Sequence, residues 1–182
     1  MAPFFDPAPP FRPSEYRCQV AQNRWEHDAY FALRKRVFCG EQGIFSGHDR
    51  DPIDQNSIAI VAISLLGVTV GDVVGCVRID EREPGVWFGS RLAVSPDHRG
   101  VAPMAPHLIR KAVCTAHSLG CKRFMAHVQR ANVRMFRRLN WDKRGALTVH
   151  GRPHELMEAD LEHYPAVETQ RPIEIIMDRG AA

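Results

Sequence analysis

Residues 86 to 129 constrain the fold more than any other part of the chain. VWFGSRLAV (86–94) is apolar and strand-like, and SPDHRGVAP follows as a polar, proline-punctuated turn. Met104 to Leu119 then carries Leu108, Ile109, Ala112, Val113 and Ala116 at helical spacing, with Gly120 placed to end the helix. RFMAHVQ (123–129) is strand-like again. A strand, a helix and a strand in that order pair their strands in parallel through a right-handed crossover.

The flanking segments set the rest of the sheet. SIAIVAISLLG (57–67), VVGCVRID (73–80) and residues 86–94 are separated only by the turns GVTVGD and EREPG, which predicts an antiparallel meander. YRCQVA (16–21) reads as a first strand. Asn23 reads as the N-cap of a helix over Trp25–Phe38, with Tyr30, Leu33 and Val37 on its buried face. Arg34, Lys35 and Arg36 crowd its last turn, where cations suit the helix dipole. ANVRMFRRLN (131–140) predicts a short amphipathic helix, and WDKRGALTVHG with HELMEAD a closing hairpin. IEIIM in the tail would add a strand, either over the chain's own core or against a second copy in a homodimer. The expected fold is α/β: a proline-rich arm over 1–15, one domain over 16–164, and a tail over 165–182.

Composition narrows the partners. A formal charge of +3 with no long Lys/Arg block gives no footprint for nucleic acid. No apolar run nears the roughly 20 residues of a membrane span, and MAPFFDPAPPFRPSEY is no secretory signal. Five scattered cysteines without a C-x-x-C suggest reduced thiols and a cytoplasmic protein. Cys114, His117 and Cys121 could share one helix side. They are read as packing residues, and no metal is expected.

The turn at 95–103 carries the chemistry. The first N–H groups of a helix lack intrahelical partners, and the helix dipole adds positive charge there, so the corner suits an anion such as phosphate. Gly100 allows close approach of a ligand, and Arg99 supplies a permanent cation with a fork of donors. Neither G-x-x-x-x-G-K-[ST] nor an early G-x-G-x-x-G is present, so the common nucleotide loops are not indicated.

LAVSPDHRGVAPMAPHLIRKAV (92–113) resembles the acetyl-CoA-binding motif of the GNAT acyltransferase superfamily, with Arg99 and Gly100 in place and Ala102 and Met104 where glycines are usual. AHVQRANVRMFRRLNW (126–141) is similar to a later GNAT segment, with Phe136 where a tyrosine is common. RKRVFCGEQGIF, VVGCVRID, WFGSRLAV and HGRPHELMEADLEHYP further resemble a GNAT subgroup of nitrogen-metabolism gene clusters that include a nitrilase. The resemblance implies a mixed, mostly antiparallel central sheet flanked by helices, with its two central strands splayed. It implies acetyl-CoA, or another acyl-CoA, as co-substrate and a small-molecule amine as acceptor. The pantetheine arm would pair with Leu92, Ala93 and Val94, with the Val94 N–H facing the thioester oxygen. The pyrophosphate would sit on Arg99, Gly100, Val101, Ala102, Pro103 and Met104. Gln129, Asn132 and Phe136 would complete the cofactor side. Glu41, His127 and His98 are candidates for the base.

Arg34, Arg36, Glu41, Asp49, Asp51 and Asp54 form a charged group around the long loop 39–57 that resembles part of the acyl-homoserine lactone synthases, although a solvated surface explains it too. His150 and His154 would flank the acceptor mouth. Three activities are therefore expected to compete: N-acyl transfer to a small amine, lactone-synthase-like transfer of a longer acyl group, and a degenerate domain that binds acyl-CoA without turnover.

Overall fold

Eight strands form one open sheet in the computed structural model, which describes residues 13–167 and 171–177. The strands are β1 (Glu15–Val20), β2 (Ile58–Leu66), β3 (Thr69–Glu83), β4 (Val86–Val94), β5 (Arg123–Gln129), β6 (Trp141–Val149), β7 (Arg152–Ala159) and β8 (Ile173–Ile176). Their spatial order is β6-β7-β5-β4-β3-β2-β1-β8. Helices α1 (Arg24–Arg34), α2 (Met104–Ser118) and α3 (Val133–Arg138) complete the fold. Every neighbouring pair of strands is antiparallel except β4 and β5. This is the mixed, mostly antiparallel sheet expected. The proline-rich arm lies largely outside the described residues.

Local chemistry sets the element ends. Glu26, in the first turn of α1, accepts from the Gln22 and Asn23 N–H groups at 2.5 and 2.9 Å, so the helix start is fixed by a buried carboxylate. Gly120 has φ +91°, and the Gly120 and Cys121 N–H groups return to the carbonyls of His117 and Ala116. That double bond pattern closes α2 and needs a left-handed residue at Gly120. The turn between β2 and β3 is tighter than GVTVGD suggests. Gly67, at φ +61°, and Val68 alone reverse the chain, and Thr69 and Val70 join β3 because their branched side chains favour extended backbone. α1 stops at Arg34 and passes into one wide π-helical turn over Lys35–Glu41. IEII pairs with β1 of its own chain, with Tyr16 opposite Ile175.

The sheet has two unlike faces. On one, Leu108, Ile109, Ala112, Val113 and Ala116 of α2 bury against Val77, Ile79, Phe124 and Val128. Each such side chain contributes on the order of 1.5–3 kcal/mol. α2 lies so close to β3 that a Cβ on Gly75 would meet Leu108 Cδ1 at 2.9 Å. On the other face α1 packs Tyr30 and Leu33, and the π-helical turn Val37, onto Val61, Ile63, Cys76 and Ala93. The second face thus has a helix over β2, β3 and the end of β4, and a cavity takes its place toward β5 and β7.

Candidate active site

The cavity begins where β4 and β5 part. Their parallel pairing runs from Val86 opposite Arg123 to Gly89 opposite Ala126 and then ends. The cause lies in β4. Ser90 faces Arg78 and Ala93 faces Cys76, so Arg91 and Leu92 together oppose Val77. This bulge puts Arg91 at φ +55°, a left-handed conformation that costs a non-glycine residue energy, and bends β4 away from β5. The opening holds a cavity of about 450 Å³ whose walls include Leu92, Phe88, His127, Gln129, Asn132, Phe136 and Trp141.

Backbone direction follows from the ladder. The Ser95 N–H donates to the Val74 carbonyl at 2.8 Å, so by antiparallel alternation the N–H and C=O of Val94 turn away from β3 toward the gap. The Val94 carbonyl accepts from Arg99 Nε at 3.0 Å. Leu92 and Val94 are half-buried beside the gap, whereas Ala93 packs in the core under α1.

The loop after β4 is poorer in donors than a glycine-rich one. Gly100 has φ +75° and open space where a Cβ would lie. Pro103 and Pro106 have no N–H, Met104 N–H is taken by the Ala102 carbonyl at 2.7 Å, and Val101 N–H reaches His98 O at 3.4 Å. Among the described residues the N–H groups of Gly100 and Ala102 make no backbone hydrogen bond, and Ala105 lies in the first helical turn. Those three amides are the anion-binding capacity of the corner. Arg99 is turned across the loop. Its Nη1 and Nη2 bond Glu41 Oε1 and Oε2 at 2.5 and 2.8 Å, and the guanidinium beside Glu41 lowers that carboxyl's pKa. Arg36 likewise pairs with Asp97 at 2.7 Å. Two exposed ion pairs therefore tie the π-helical turn to the phosphate-type loop. They take Arg36 and Glu41 out of the charged group expected around residues 39–57.

The rest of that group is an ion-pair lattice with Arg34 and Asp49 buried and Asp51 and Asp54 partly exposed, not a solvated surface. Arg34 is fully buried and bonds Asp49 at 2.7 Å, Asp54 at 2.6 Å and the Tyr30 hydroxyl at 2.7 Å. Arg78 bonds Asp51 at 2.6 Å and Ser90 at 2.9 Å, and Arg91 bonds Asp49 at 2.9 Å and Asp51 at 3.0 Å. Three arginines and three aspartates satisfy one another, and hydrogen bonds from Arg34 and Arg78 outweigh burial and hold Asp54 far below the usual carboxylate range. Arg34 thus sits in the core instead of complementing the helix dipole in solvent. Arg78 and Arg91 were not singled out from the sequence. For Arg78 the signal is a cation two residues from Asp80 at the end of the apolar run VVGCV, which puts both on one sheet face; Arg91 has no such local signal.

Of the base candidates, His127 lines the cavity as the first β5 residue past the last rung shared with β4. Burial, and then the nearby charges of Arg82 and His154, push its pKa below 6.5, so the ring is neutral near pH 7. Its edge meets Phe88 at a centroid distance of 5.7 Å. Glu41 is exposed and bound to Arg99, and His98 packs edge-on to Tyr16 at 6.1 Å. Gln129 Nε2 reaches Gln42 at 3.4 Å. Phe136 stacks edge-on to Trp141 at 4.9 Å and is nearly buried. His150 packs on Phe45, and His154 stands opposite Gln129 on β7. Among the described residues no helix is long and apolar enough to cross a membrane, and no three His, Cys, Asp or Glu side chains converge as metal ligands. Cys114 and Cys121 are buried, and His117 Nδ1 faces the Tyr164 carbonyl at 2.6 Å.

A sheet whose two parallel central strands part over a cavity, followed by an anion-type loop and helix, is the architecture of the acyl-CoA N-acyltransferases. The family model described as acetyltransferase (GNAT) family matches residues 23–141, and the chain belongs to that family. The fold is shared with an acyl-CoA N-acyltransferase from Pseudomonas aeruginosa (TM-score 0.65, 19% identity, 79% of this chain and 97% of that one). It is shared with Escherichia coli ElaA (0.65, 19%, 80% and 98%). A CoA-dependent acyl-homoserine lactone synthase, BjaI, solved with SAM and isopentyl-CoA, also matches (0.63, 16%, 82% and 86%). No curated protein sequence matches the chain.

Proposed function

We propose that the chain transfers an acyl group, most simply acetyl, from acyl-CoA to the primary amine of a small metabolite by direct attack of the amine on the thioester. One observation carries this reading: beyond Gly89 and Ala126 the sheet opens, with the Val94 N–H turned into the gap and the neutral His127 ring at its edge. The site fits the co-substrate, since the gap exposes the edge of β4 to an extended arm and three amides stand at the loop beyond it. Acyl-CoA would supply the activated acyl group. Leu92 and Val94 offer backbone partners to the arm. The amides of Gly100, Ala102 and Ala105, with Arg99, face the diphosphate, and Val101, Pro103 and Met104 shape the loop around them. The Val94 N–H donates to the thioester oxygen as negative charge develops there. His127 takes the proton that the acceptor's ammonium must lose before the neutral amine attacks. Phe136 cannot donate a proton, so water is left to protonate the departing thiolate. Gln129 and Asn132 supply amides along the arm.

A second reading follows from the ion-pair lattice of Arg34, Arg78, Arg91, Asp49, Asp51 and Asp54. A lactone-synthase-like enzyme would use such a charged floor to hold an amino-acid-derived acceptor and would take a longer acyl donor.

Calorimetric titration with acetyl-CoA and longer acyl-CoAs tests the binding reading, and thiol release with a panel of amines tests turnover. Tight acyl-CoA binding with no turnover across the panel would leave a binding domain. Absence of acyl-CoA binding would remove the transferase reading. Preference for a long chain would favour the second.

A further inference from the structure

We propose, resting on the transferase reading above, that the acceptor carries a carboxylate beside its reactive amine and that the Arg82 guanidinium binds it. Arg78, Asp80 and Arg82 share one face of β3, and Phe88, opposite Asp80, presents its ring on the same face of β4. The Arg82 guanidinium carbon lies 3.7 Å from the Phe88 ring centroid, and His127 meets that ring from the side at 5.7 Å. Arg82, Phe88 and His127 all line the cavity. A cation over the face and a neutral base beside it therefore share one aromatic ring on the cavity wall. An amine at His127 and a carboxylate at Arg82 belong to one small molecule of the amino-acid type.

Asp80 prepares Arg82 for this role. Its Oδ2 accepts from Arg82 Nε at 3.0 Å, which fixes the guanidinium. Among the described residues the two terminal nitrogens of Arg82 have no hydrogen-bond partner. A carboxylate meets two such nitrogens in a paired, charge-assisted contact.

The charge balance of the walls points the same way. Arg34, Arg78 and Arg91 are neutralised by Asp49, Asp51 and Asp54, and Arg82 is balanced by Asp80. Arg50 and Arg152 also line the cavity and have no carboxylate partner among the described residues. Arg50 lies over Phe31 at 3.8 Å, and Arg152 donates to the Gln42 carbonyl at 2.7 Å. The surplus is positive, so the cavity attracts an anion-bearing acceptor and repels a polyamine.

The test uses matched acceptors: an amino acid, its α-amide, and the amine left by its decarboxylation, each with acetyl-CoA and read by thiol release. The acids are expected to exceed their amides and amines by about tenfold or more in kcat/KM. In Arg82→Gln that advantage is expected to fall to about one, chiefly through KM, with partial return in Arg82→Lys. Acids no better than amides, or an advantage that survives in Arg82→Gln, would overturn the proposal. Thermal-shift titration of the CoA-saturated protein with the same compounds separates the two readings. If the acids stabilise the wild type but not Arg82→Gln while no compound releases thiol, the carboxylate site stands and the transferase reading falls. If acids and amines stabilise the protein alike, the carboxylate site falls.

Discussion

Arg99 and Glu41, 58 residues apart, meet in a two-pronged ion pair of 2.5 and 2.8 Å that joins the loop after β4 to the turn after α1. The same arginine caps the Val94 carbonyl. The cation expected at a diphosphate is thus engaged twice within the protein. Arg99→Ala is expected to weaken CoA binding about tenfold, the scale of a lost charge-assisted contact. Glu41→Gln frees the guanidinium and is expected to leave CoA binding equal or tighter. Calorimetry of both variants checks this. Weaker binding in Glu41→Gln would place the carboxylate itself in the ligand site.

With His127 as the proposed base, the pH response follows from its surroundings. Its folded-state pKa lies below 6.5, so the neutral base persists to lower pH than for an unperturbed histidine. The acidic limb of kcat/KM assigned to the protein is therefore expected below pH 6.5, apart from the limb set by the acceptor's own ammonium. His127→Asn removes it. The unfolded chain holds this proton more tightly than the folded one, so the residue costs no stability well above pH 6.5 and progressively more as pH falls below it. A limb unchanged in His127→Asn would assign the base elsewhere.

Arg34→Met would strip one arginine from beneath Asp49 and Asp54, leaving buried carboxylates short of partners. A loss of about 3–5 kcal/mol is expected, because removing one member of a buried ion pair strands the other. Denaturant midpoints measure it. The depressed pKa values of Asp51 and Asp54 add an acid response: their stabilisation is complete above the unfolded carboxylate value of 3.8 and fades as pH falls through the folded values. A variant as stable as the wild type would show that the lattice does not hold the fold together.

Phe136 both lines the cavity and stacks on Trp141. Phe136→Tyr is expected to fold and to release thiol at an equal or higher rate, its hydroxyl serving the leaving group. Phe136→Ala is expected to cost about 3–5 kcal/mol through the space it leaves beside Trp141. A collapse of thermal stability in Phe136→Tyr would mark the end of the ring as dry core.

The periodic parts of the fold were legible. β4 and β5 lie within the residues read as strands, and α2 ends one residue short of its expected end, because alternation and helical spacing express which side chains are buried. The strand–turn–helix corner at Arg99 and Gly100 was legible because its pattern is local. The charged lattice was not. Asp49, Asp51 and Asp54 read as loop carboxylates until folding set Arg34, Arg78 and Arg91 among them, and no short-range pattern encodes pairings 40 residues apart such as Arg91 with Asp51. The engagement of Arg99 by Glu41 is hidden for the same reason, as is the π-helical turn, which extends a sequence still favourable for an α-helix.

The bulge at Arg91 gives β4 one residue more than its partner needs. Excising Arg91 would let the parallel ladder with β5 run onward past Gly89 and narrow the furrow, at the cost of the arginine's bonds to Asp49 and Asp51. The parting of the two central strands is thus a matter of counting: one surplus amino acid in one strand holds them apart.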